Sequence, residues 1–264
     1  MSPGLISTHG QGEDGSDTDP TKRFVADGEN SGPLSATQNF IWNHNYTVYD
    51  GNWLNWKHSG GQVTRTPLEV LHNVFNNLLD NLTGVNVGMM RFNQKEGGPV
   101  VHEVAPIENN RISLKAAVDA FDHDGWTPLA ETLYEAKRYF AGEMPFYGNC
   151  SNVTDGSTCI NSTPNALDGS QYDSPMNFSC QKNYAVLLTD GKPTRDVGVN
   201  AKVPQMTGFQ AAVGKTSCTR DGLADDNGKC LDEIATYMQN HDLSPMDGLQ
   251  NVTTHTVGFG VDLS

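Results

Sequence analysis

Residues Asn183 to Gly191 read Asn-Tyr-Ala-Val-Leu-Leu-Thr-Asp-Gly. A short apolar run closed by a Thr-Asp-Gly turn predicts a buried β-strand that delivers Asp190 and Gly191 at its C-terminal end. Downstream, a polar, Gly-rich segment from Lys192 to Lys229 leads to Cys-Leu-Asp-Glu-Ile-Ala-Thr-Tyr-Met-Gln-Asn-His (Cys230 to His241), which has a helical period. A last strand is then read over Val252 to Gly260. Upstream, Arg65-Thr66-Pro67 opens the clearest helix, with Leu68, Leu71, Phe75, Leu78, Leu79 and Leu82 three and four residues apart and Thr83-Gly84 at its end. The run Val85 to Phe92 follows as a buried strand and Pro99 to Ile107 as a neighbouring edge strand. Arg111 to Phe121 is expected as a short amphipathic helix. Another helix starts at Thr127, read as its N-cap with Pro128 at the first helical position, and turns Leu129, Leu133, Ala136 and Phe140 to one face before Gly142. Helices alternating with apolar strands indicate an α/β fold with a largely parallel sheet covered on both faces.

The 264 residues carry 17 basic and 31 acidic side chains, a formal net charge of −14. An acidic surface repels nucleic acid and anionic membranes, so neither is expected as a partner. No apolar run approaches the roughly 20 residues of a membrane span. The five cysteines, Cys150, Cys159, Cys180, Cys218 and Cys230, lie in Asn/Ser/Thr/Gly/Asp-rich loops of the second half without CxxC spacing. Such cysteines read as disulfides formed in an oxidising compartment. Cys218 and Cys230 flank a turn-rich stretch and are the favoured pair, and one of the other three is left free or bonded outside the chain. The N-terminus has neither a basic nor an apolar signal region, so no export signal is read in this chain. An oxidising compartment without an export signal is a contradiction, and it leads to the expectation that the start of the protein is missing.

Ligands of open α/β sheets bind beyond the carboxyl ends of the strands. Asp190 at its strand end and Thr127 in the loop Gly125-Trp126-Thr127-Pro128 both meet that rule. A carboxylate and a hydroxyl are hard oxygen ligands of the type Mg²⁺ takes. The competing readings are a turn residue for Asp190 and a helix cap for Thr127.

The sequence resembles a von Willebrand factor A domain, and more closely the one in the PilC/PilY family of type IV pilus tip-associated adhesins. The resemblance rests on Tyr49 to Trp56 (YDGNWLNW), Gly84 to Val100, Gly125 to Gly142 (GWTPLAETLYEAKRYFAG), Ser174 to Asp196, Cys230 to Met238 and His255 to Gly260. It implies a Rossmann-like three-layer fold with a mostly parallel central sheet, one antiparallel edge strand and long disulfide-bearing insertions. Residues 1–45 are expected as a polar, irregular segment and 46–264 as an incomplete A-like domain with an insertion at 143–182. It also implies a metal-ion-dependent adhesion site holding Mg²⁺ or Ca²⁺, with Thr127 and Asp190 as two of its ligands. The family's first-strand Asp-x-Ser-x-Ser segment has no counterpart here: Asp14-Gly15-Ser16 and Asp17-Thr18-Asp19 follow no strand and read as a solvated acidic loop. Met1 is expected as the Met that closes that segment in the family, so the metal is expected to bind weakly or not at all to this chain and fully in the intact protein.

The function so implied is non-enzymatic: an exported domain at the pilus tip or outer membrane of a Gram-negative bacterium, meeting minor pilins and/or a host-surface protein or glycan. The alternative is a structural component that primes pilus assembly, its metal site vestigial. An enzyme is disfavoured by the lack of HExxH, GxSxG, P-loop and GxGxxG patterns. Three other features take plainer readings. The seven Asn-x-Ser/Thr sequons follow from an Asn-, Ser- and Thr-rich composition, Asp221 to Gly228 is an acidic loop closed by its disulfide, and the aromatic cluster Trp42 to Trp56 covers a core.

Overall fold

The computed structural model describes residues 66–121, 125–154, 158–189, 191–219 and 225–258. The chain divides between Arg65 and Thr66, and all described residues lie in the second unit. The expected irregular segment 1–45 and the aromatic cluster Trp42 to Trp56 lie outside them.

Helix α1 spans Pro67–Asn81. Its start is set by a capping box: the Thr66 hydroxyl accepts from the Glu69 amide at 3.2 Å, and the Glu69 carboxylate accepts from the Thr66 amide at 2.7 Å. Strand β1 (Asn86–Met90) pairs antiparallel with β2 (Val100–Pro106), and α2 (Ile107–Asp119) follows β2 without a loop. That helix begins four residues before the Arg111 expected from periodicity. Glu108 contributes there as a tie, accepting the Gly84 amide at 2.6 Å.

Helix α3 is Leu129–Phe140, and the insertion after it contains a 3-10 turn at Pro164–Ala166 and a short hairpin, β3 (Leu167–Asp168) with β4 (Gln171–Tyr172). Strand β5 (Asn183–Thr189) is the run on which the sequence reading turned, but it is not the buried strand expected: only Asn183 is buried, and Tyr184 and Val186 are exposed because no helix covers that face among the described residues. It pairs in parallel with β6 (Val252–Gly258), from Asn183 opposite Val252 to Thr189 opposite Gly258. Between them lie α4 (Phe209–Val213) and α5 (Leu231–Asn240). The polar segment expected over Lys192 to Lys229 therefore adds to the core, since Val199, Val203 and Phe209 are buried within it.

The chain is thus a mixed α/β protein with small sheets. Among the described residues the strands form three two-stranded pairs, one parallel and two antiparallel, where one mostly parallel sheet was expected. Connection length explains the pairing sense: nine residues separate β1 from β2, short of the crossover of a dozen or more that a parallel pair needs, whereas two helices bridge β5 to β6. The main core gathers α3, α4 and α5 around residues such as Leu133, Phe209, Ile234 and Val252. A second, smaller cluster joins α1 and α2 through Leu79, Leu114 and Val118. Two disulfides close the loops, Cys218–Cys230 as favoured and Cys150–Cys159, leaving Cys180 free and exposed.

Candidate functional site

Helix α3 organises the site. The Thr127 reading as its N-cap is corrected: the helix starts at Leu129, Pro128 occupies the cap position, and no side chain there caps it. The cap comes from far along the chain. Asp196, fully buried, accepts the Ala130 amide at 2.7 Å and the Glu131 amide at 3.0 Å. A carboxylate placed there satisfies two of the orphan N–H groups of the first turn and sits at the positive end of the helix dipole.

Thr127 is held instead through its backbone. Its amide donates to the Thr194 hydroxyl at 3.0 Å, and its carbonyl accepts the Thr194 amide at 3.2 Å. The neighbouring Trp126 amide donates to the Gln94 carbonyl at 2.7 Å. The loop after β5 and the loop after β1 therefore close on Thr127 from two sides, and its hydroxyl makes no hydrogen bond with the described residues. Asp190, the other expected metal ligand, lies outside the described residues; the flanking Gly191 amide donates to the Thr189 hydroxyl at 3.2 Å. Among the described residues no group of three or more His, Cys, Asp or Glu side chains is arranged to hold a metal ion. The Thr127 hydroxyl is a neutral oxygen of the kind a hard cation takes, and it has no partner among the described residues.

Two further carboxylates of α3 fix the surrounding loops. Glu131 Oε2 accepts the Gly97 amide and Oε1 the Gly198 amide, each at 2.8 Å, tying the loop after β1 to the loop after β5. Burial pushes the Glu131 carboxyl up to about 7; the nearby Asp196 charge adds to the rise, against the pull of the two amides. One turn on, Glu135 accepts the amides of Phe146, Tyr147 and Gly148 at about 3.0 Å and the Tyr172 hydroxyl at 2.7 Å. The Cys-bearing insertion is thereby folded onto what amphipathic patterning reads as the solvent face of α3. Gly148 is required at that contact, because a Cβ there would lie 2.1 Å from the Tyr172 hydroxyl.

At the rim, Trp126 is 44% exposed and the Arg195 guanidinium stacks over its ring at 4.9 Å. Arg195 sits at φ 52°, the left-handed region that non-glycine residues seldom occupy. Sequence reasoning missed Glu131, Glu135, Asp196, Trp126 and Arg195. The available signal was the four-residue spacing of Glu131 and Glu135, which turns both carboxylates to one side of the helix.

No family model, curated protein or solved structure matches the chain. The site is therefore defined by its own geometry: a loop junction at the carboxyl end of β5, held by buried carboxylates and presenting a hydroxyl with no hydrogen-bond partner among the described residues.

Proposed function

We propose that this chain is a von Willebrand factor A-like domain of the PilC/PilY type, a non-enzymatic exported domain that recognises a partner through a metal-ion-dependent adhesion site. The observation that carries the reading is the mutual bonding of Thr127 and Thr194, which joins the β5 loop to the loop before α3 and leaves the Thr127 hydroxyl without a hydrogen bond to any described residue. Parallel pairing of β5 with β6 through helical crossovers supports a Rossmann-like core, and the antiparallel β1–β2 pair supports the single antiparallel edge strand of that fold. Two disulfides support an oxidising, extracellular setting. No helix of the described residues is long and apolar enough to cross a membrane.

In this reading Thr127 and Asp190 hold Mg²⁺ or Ca²⁺ in the intact protein, together with an Asp-x-Ser-x-Ser segment, and the partner is a minor pilin or a host-surface protein or glycan. Bound metal supplies a positive centre for a partner's carboxylate. Thr127 supplies a neutral oxygen, and the Thr194 bonds fix the direction from which it points. The substitutions Asp190→Ala and Thr127→Ala in the intact protein test this. Loss of surface adhesion with pili still assembled is expected. Loss of pili instead identifies the structural, assembly-priming alternative, and unchanged adhesion with unchanged pili rejects both.

A further inference from the structure

At the opposite end of α3, about 18 Å from Leu129 by the helix rise, the C-terminal ends of α3 and α5 and the turn around Val203–Gln205 enclose a cleft of about 510 Å³. The volume falls within the ~300–1,000 Å³ range of small-molecule sites. The construction of its floor is specific. The His241 ring stacks on Tyr237 at 4.4 Å, the Tyr237 hydroxyl donates to the Thr207 carbonyl at 2.9 Å, and the Lys137 ammonium lies 5.6 Å from the centre of the Tyr237 ring. Gly208, at φ 75°, makes room for the imidazole: a Cβ there would lie 2.8 Å from His241 Cε1.

The carboxylates of this cleft are largely engaged. Glu143 spends both oxygens on Lys137 and on Arg138, the latter at 3.0 Å, and Asp242 Oδ1 accepts the Gln250 amide at 3.1 Å. Lys137 and Arg138 are paired with Glu143 and the Tyr237 hydroxyl with Thr207, and four other lining groups are left open. Lys202 has no carboxylate partner among the described residues, and its ammonium rests 4.7 Å over the Phe146 ring. The Gln205 amide, the Thr207 hydroxyl and the His241 ring nitrogens also line the cleft without a hydrogen-bond partner among the described residues. Burial and the neighbouring Lys137 hold His241 below the usual imidazole range, which keeps it neutral at pH 7 with one donor and one acceptor.

Open donors around an ammonium select an oxyanion, while the hydroxyl, amide and imidazole spread over this volume suit a ring bearing hydroxyl groups. We propose that this cleft binds a small carboxylate-bearing sugar, with Lys202 meeting the carboxylate and His241, Gln205 and Thr207 meeting ring hydroxyls. The site is separate from the Thr127 junction and does not depend on the function proposed for it.

The test is titration of the 264-residue chain with D-glucuronate, D-glucose and inorganic phosphate, followed by calorimetry and by amide shifts. Saturable glucuronate binding is expected, with glucose at least about tenfold weaker because it lacks the charge-assisted bond. Lys202→Ala, at an exposed position, is expected to weaken glucuronate about tenfold with Tm unchanged, and Asp190→Ala to leave glucuronate binding as in the wild type. Absence of saturable glucuronate binding, equal binding of glucose or phosphate, or an unaffected Lys202→Ala variant would each overturn the proposal. Failure of adhesion in Asp190→Ala with glucuronate binding intact separates the two sites.

Discussion

Helices α1 and α3 invert each other. In α1, Val70, Val74 and Leu78 follow one another at four-residue steps and are all exposed, while Leu79 is the one residue of the helix fully withdrawn from solvent among those described. In α3, every residue from Leu129 to Phe140 except Arg138 is buried, and the charged Glu131, Glu135 and Lys137 are buried with the rest. Both sequences are amphipathic. The difference lies in what the chain brings to each: the insertion and the β5 loop wrap α3 and present backbone amides to its carboxylates, whereas among the described residues α1 packs mainly on α2 and the β1–β2 pair. A buried carboxylate costs several kcal/mol unless its oxygens are satisfied, and here each oxygen finds N–H or O–H donors.

This contrast sets the order of expected mutational effects. The largest belongs to Glu135→Ala, which strips the acceptor from three amides and the Tyr172 hydroxyl. A loss of about 4 kcal/mol is expected in urea denaturation, because the donors stay buried without partners. If the loss were below about 1 kcal/mol, the insertion would not depend on α3.

Glu131 predicts a pH dependence. Its folded-state pKa lies above the unfolded value of 4.5, so its contribution is fully present below pH 4.5 and is lost as pH rises through about 7. Stability is therefore expected to fall across that window by up to about 3 kcal/mol from this group. Glu131→Gln should flatten the wild-type profile by that amount between pH 4.5 and 7. Identical slopes in the two proteins would contradict the burial argument.

Replacing Cys150 and Cys159 together by Ser opens a loop of about ten residues and is expected to cost about 2.5 kcal/mol, read as a lower urea midpoint. Asp196→Ala removes the distant cap of α3, with an expected loss of about 2 kcal/mol and a weakened Thr127–Thr194 junction. The smallest effect is on α1, where Val74→Lys at an exposed site should change stability by no more than about 0.5 kcal/mol. A large loss there would mean that the exposed stripe is covered in solution.

The elements were legible because their signals are local. The helix start at Pro67, the apolar β5 run and the turn-flanked pair Cys218 and Cys230 all stand in short stretches of sequence and appear where expected. The burial of α3's polar face was not legible, because it depends on contacts from residues 11 to 67 positions away: Gly97, Phe146 to Gly148, Asp196 and Gly198. The same distance hid the cap. Thr127 and Pro128 have the composition of a helix start, but Asp196 reaches the first-turn amides from across the fold and frees the threonine. Of the candidate pair, Thr127 is placed at the loop junction, while Asp190 lies outside the described residues.

The most direct measurement of this arrangement is native-state hydrogen exchange at the Gly97, Gly148 and Gly198 amides, which Glu131 and Glu135 hold around the Thr127 junction. All three are expected to exchange only through global unfolding, and Glu131→Ala is expected to release Gly97 and Gly198 while leaving Gly148 protected. Exchange of these amides in the wild type as fast as at the ends of α1 would contradict the account.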